Sequence, residues 1–159
     1  MSAAQFAELR AAIVARLEGV EGIGVVHGRQ RYAAEQPAFR ALYTVDAGGG
    51  LRRINGWHLR RVRTAETSPT IGGAIAVHLW RIEGFLSFDD AAGSELEFDL
   101  LVERIRDAFR ADPELGSAAV IPEDEGAYGV QVESSEPVMF AGHLCHGCRL
   151  SLATRLYME

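Results

Sequence analysis

The sequence predicts an α+β domain: an antiparallel or mixed β-sheet with two main helices packed on one face, in the order α-β-β-β-β-α-β-β. Three observations carry this. Only two segments, one at the N-terminus and one after residue 94, repeat apolar residues at helical spacing. The other apolar segments are short, β-rich stretches bounded by Gly, Pro and Asp. They follow one another closely enough to pair as hairpins. At 159 residues the chain is one domain by size, residues 1–159, and long enough for one sizeable core.

The first helix starts at Ser2-Ala3-Ala4-Gln5, which has capping-box spacing. Phe6, Leu9, Ile13 and Leu17 form its apolar stripe, and Gly19 and Gly22 stop it. Ile23–His27 reads as a short strand and Tyr32–Pro37 as a loop or helical turn. Phe39–Val45 reads as a second strand, closed by Ala47-Gly48-Gly49-Gly50. That glycine run lacks phosphate-cradle spacing and a following Lys-Ser/Thr, so it reads as a hairpin tip. Leu51–Arg63 is a long strand, with Ala74–Phe85 as its antiparallel partner. Residues 64–73, with Ser68-Pro69 and Gly72-Gly73, read as a mobile connection that a partner would order.

The middle of the chain is dense. Trp80-Arg81-Ile82-Glu83-Gly84-Phe85, an acidic turn at Asp89-Asp90, and Ser94-Glu95-Leu96-Glu97-Phe98 follow with almost no filler. Ser94-Glu95-Leu96-Glu97 again has capping-box spacing. Phe98, Leu101, Val102, Ile105, Ala108 and Phe109 make the second helix's apolar stripe. Glu103, Arg106, Asp107 and Arg110 take its wet face, and Asp112-Pro113 closes it. Pro122-Glu123-Asp124-Glu125-Gly126 is an acidic loop, and Tyr128–Glu133 and Val138–Leu156 are the final strands.

Charge is unevenly spread. Residues 1–63 hold ten Arg against five acids, and residues 64–159 hold six Arg against seventeen. The halves are therefore net +5 and −11, matching the total of −6. Every basic residue is Arg, a side chain suited to bidentate pairing with carboxylates. An acidic total argues against general nucleic-acid binding. Opposite charge on the two halves favours head-to-tail contact with a copy or a neighbour. No apolar run approaches a membrane span, and no signal-peptide pattern opens the chain, so synthesis in the cytoplasm is expected.

No catalytic motif stands out. His143-Leu144-Cys145-His146-Gly147-Cys148 contains a Cys-x-x-Cys, the spacing of zinc and redox sites. The segment reads as strand, however, so the two thiols face opposite ways. No second Cys pair exists to complete four ligands. His27, His58 and His78 read as sheet histidines, and no nucleophile-elbow pattern accompanies them. Asp89, Asp90, Glu95, Glu97 and Asp99 lack calcium-loop spacing and suit a helix start. We expect no metal and no cofactor.

Arg52, Arg53, Arg60, Arg61 and Arg63 lie on one predicted strand. Strict alternation puts Arg53, Arg61 and Arg63 beside Trp57, and Arg52 and Arg60 beside His58. Such a strand is a charged, aggregation-resistant edge, a subunit interface for an acidic neighbour, or a lining for nucleic acid passing through a ring. It is the candidate interface.

Four segments together resemble the tail-completion, or tail terminator, proteins of phages, prophages and gene-transfer agents. They are Gly22–His27, Ile54–Arg61, the stretch from His78 to Phe109, and Phe140–His146. The resemblance implies an α+β subunit of a hexameric ring that caps the tail tube. It implies a virion location, a tail-tube partner and a head–tail connector partner, and no catalysis, membrane or sequence-specific nucleic acid. A head-side neck protein is the neighbouring alternative. A small zinc or redox module at Cys145–Cys148 is the alternative of a different class.

Overall fold

A computed structural model describes residues 3–120 and 129–158. The acidic loop at 122–126, Ser2 of the first capping box and the start of the strand read from Tyr128 lie outside the described residues. The elements are α1 (Ala3–Glu18), β1 (Val25–His27), α2 (Gln36–Ala41), β2 (Thr44–Asp46), β3 (Arg52–Thr70), β4 (Gly73–Ser87), a 3-10 turn (Asp90–Ala92), α3 (Ser94–Ala111), β5 (Val130–Phe140) and β6 (His143–Met158). Among the described residues six strands form one mixed sheet in the order β1-β3-β4-β6-β5, with β2 added beside β3. All pairings are antiparallel except β1 with β3. The α+β architecture is therefore as the sequence predicts.

Both long helices pack on one face. Leu9, Ile13 and Leu17 of α1 and Phe98, Leu101, Val102, Ile105 and Phe109 of α3 meet Trp57, Trp80, Ile82 and Leu150 in one core. Burying each such large side chain stabilises the fold by about 2 kcal/mol. Trp57 stacks on Phe98, with ring centres 5.9 Å apart. It can lie flat because Gly84, across from it on β4, has no side chain. The indole of Trp80 donates to Thr154 Oγ1 at 2.8 Å, which satisfies its buried N–H.

The other face, here the outer face, carries a smaller cluster: Tyr43, Ile54, Phe140 and Cys145, with Phe39 and Phe85 packed against it. Here the structure departs from the sequence reading. Phe39–Ala41 belongs to α2, and strand begins only at Thr44. Pro37 in the first turn favours helix, and Phe39 is then placed 5.0 Å from the Phe140 ring.

Residues 64–73 also differ from expectation. They form no loose connection. β3 and β4 continue pairing to Thr70 and Gly73, and Ile71-Gly72 makes a tight turn with Gly72 at φ 84°. Ser68-Pro69 sits where the register shifts, so its missing N–H disturbs no regular pairing. From Arg60 to Gly72 every residue is exposed. No helix among the described residues is long and apolar enough to cross a membrane.

Candidate functional site

The five arginines all lie on β3, but they do not form one patch. Arg52 stands opposite Asp46 of β2. Arg53 turns to the helix face and donates to Glu97 of α3 at 2.9 Å. Arg61 shares that face, with its guanidinium 4.5 Å from the Phe6 ring centre, a cation–π contact. Arg60 faces the opposite way, directly across from Arg81 of β4. Arg63 corrects the alternation argument. The register slips between Arg61 and Arg63, so Arg63 pairs with Leu79 and turns to the outer face instead of joining Trp57.

Arg60 and Arg63 thus share the outer face with Arg81 and Arg149, an arrangement that sequence reasoning missed because it depends on a bulge and on strand order. Acidic groups lie on the same face. Arg81 meets Glu133 of β5 at 3.9 Å, and Arg149 meets Glu83 at 3.9 Å. Both contacts are loose, so these guanidinium groups keep donors free for a further carboxylate.

The sequence reading leaves the histidines without a triad. The structure does bring Ser94 and His146 together, with Oγ 2.7 Å from Nε2. Ser94 Oγ also accepts from the Asp89 N–H at 2.8 Å, which leaves its own proton free for His146. Both residues are buried, and His146 is stacked on Phe88 at 4.1 Å. Among the described residues no carboxylate holds the other ring nitrogen. The pair ties the start of α3 to β6. It also replaces the predicted capping box: Gly93, at φ 70°, is the residue before α3, and Glu97 is turned to Arg53. Asp89 instead caps the 3-10 turn through Ala92.

No family model matches the chain, and no curated protein matches it either.

His58 and His78 are buried sheet histidines bonded to Tyr43 and Thr64 respectively. Burial pushes His58 down to about 4, with Arg60 and His27 adding to the effect. Burial lowers His78 as well, helped by Arg61. Each ring is therefore in its neutral form near neutral pH. Tyr43 accepts from the Arg31 N–H at 3.3 Å, so its hydroxyl is free to donate to His58 Nδ1.

Cys145 and Cys148 sit on opposite faces. Cys148 belongs to the helix-side core, and Cys145 to the outer cluster. Burial raises Cys145 to about 11 and Cys148 to about 12. A thiolate is the metal ligand and the redox nucleophile, and neither site favours one. Among the described residues no group of three or more His, Cys, Asp or Glu side chains is placed to hold a metal ion. Among the described residues the edge of β3 and the outer face carry exposed charge.

Proposed function

We propose that this protein is a virion structural subunit that caps a phage tail tube and forms the tail-to-head joining surface, acting by ring assembly without catalysis. The observation that carries this reading is the exposed run of β3 from Arg60 onward, a charged strand and hairpin that outrun the core. An assembly part uses such an edge to meet a neighbour, and its charge selects which neighbour is accepted.

The segments that resemble the tail-completion proteins also support it. They converge as structure. Val25–His27 pairs with Gly56–His58, and the Asn55 amide donates to Gly22 O at 2.9 Å. Trp57 stacks on Phe98, and Ser94 bonds His146. Likeness concentrated in a packed frame fits a part whose work is shape. A tail-tube protein on one side and a head–tail connector on the other are the partners this reading assigns.

The test is assembly. Arg60→Glu reverses an exposed charge, so the fold should survive while ring formation is lost. Electron microscopy of the protein alone and with tail-tube protein reads this directly. Rings formed as readily by Arg60→Glu as by the wild type would sink the role of β3.

A further inference from the structure

β3 and β5 are the outer strands of the ladder β3-β4-β6-β5, and each keeps a long free edge. On β3, β2 covers Arg52–Ile54 and β1 covers Gly56–His58, so Leu59–Thr70 has no strand partner on that side among the described residues. Among the described residues β5 pairs only with β6. Open edges invite strand pairing, and charge decides which pairing is allowed. β3 presents Arg60 and Arg63, whereas β5 presents Glu133 and Glu136. Like edges repel, so β3 disfavours β3 and β5 disfavours β5. Only the unlike pair is complementary.

Geometry agrees with charge. All four side chains lie on the outer face. Arg60 is across from Arg81, which itself meets Glu133; Arg63 is level with Leu79, and Glu136 with Gly147. Each step along the ladder is antiparallel, so β3 and β5 run in opposite directions. A copy turned about an axis along the strands keeps its strand directions and its outer face. Its β5 then meets β3 of the first copy antiparallel, the more stable pairing. The two arginines and the two glutamates have the same spacing, and each strand slips register once near its charges. Arg60 falls opposite Glu136 when Arg63 falls opposite Glu133. In that register Pro137, which has no N–H to offer, stands opposite Leu59, just past the end of β1.

We infer that β3 of one copy and β5 of the next join as an antiparallel ladder, fastened by Arg60–Glu136 and Arg63–Glu133. The inference rests on the ring-assembly reading and supplies the surface that β3 meets. The contact is head-to-tail, so it propagates into a closed ring or an open filament according to its rotation.

Sedimentation of the full chain tests it with two double variants. Arg60→Glu with Arg63→Glu makes both edges acidic, and Glu133→Arg with Glu136→Arg makes both basic. Each alone should associate about a hundredfold more weakly than the wild type, from two pairs turned repulsive. An equal mixture should assemble again, because unlike edges then alternate. Thermal melts matching the wild type exclude misfolding. Variants that associate like the wild type, a mixture that stays monomeric, or a wild type that is monomeric up to its solubility limit would each overturn the inference. The tail-cap reading fails separately, if an assembled wild type ignores tail-tube protein.

Discussion

Gly84→Ala is the sharpest test of the frame that presents β3. A Cβ at Gly84 would lie 2.3 Å from Trp57 Cε3 and 2.4 Å from Cδ2 and Cζ3. Real Cβ atoms do not approach that closely, so the indole or the strand must move. Trp57 has no room: it is fully buried, stacked on Phe98, and α3 closes the space behind. Relief therefore requires shifting α3 or bending β4 away from β3. Overpacking of this kind costs about 1–3 kcal/mol, and the rigid aromatic neighbour puts Gly84→Ala at the upper end, about 3 kcal/mol. Gly73→Ala is the control. Its new Cβ meets only Thr70 Oγ1, at 2.9 Å on the exposed hairpin, and that side chain can rotate away. Urea unfolding of both variants and the wild type, read by tryptophan fluorescence, gives the comparison. A Gly84→Ala protein as stable as Gly73→Ala would refute the packing of Trp57 against β4.

Two further outcomes follow from the buried titratable groups. His58 titrates near 6.5 when unfolded and at about 4 when folded. Between those values the unfolded chain binds the extra proton, so stability falls as pH drops through the window, by roughly 3 kcal/mol in the limit. His58→Gln should flatten that slope in urea titrations near pH 7 and near pH 4.5; an unchanged slope removes His58 as its cause. Cys145 and Cys148 should resist a thiol reagent until the protein unfolds, because both are buried and held as thiols. Modification in native buffer at the rate of a free cysteine would contradict their placement.

Much of the frame was legible from side-chain spacing. Leu9, Ile13 and Leu17, and Phe98 through Phe109, mark amphipathic helices because burial against a sheet demands that period. The opposite orientation of Cys145 and Cys148 follows from strand pleat alone. Other features were out of reach. Phe39–Val45 alternates like a strand, yet Pro37 and the aromatic cluster under it select helix. Residues 64–73 carry loop-like Gly and Pro, yet pairing with β4 extends the hairpin to its tip. The bulge after Arg61 leaves no mark in composition, so the face of Arg63 was misread. The meeting of Ser94 with His146 joins residues far apart in sequence and needs the tertiary fold. The acidic face of β5 gained meaning only once strand order placed it at the opposite edge from β3.

The central claim is that this chain works by assembling with copies of itself. Native mass spectrometry at low and raised concentration tests it most directly. The account predicts a metal-free species at six times the 17.3 kDa subunit, growing with concentration and absent from Arg60→Glu. A monomer at every concentration that carries stoichiometric zinc would contradict it and turn attention to Cys145 and Cys148.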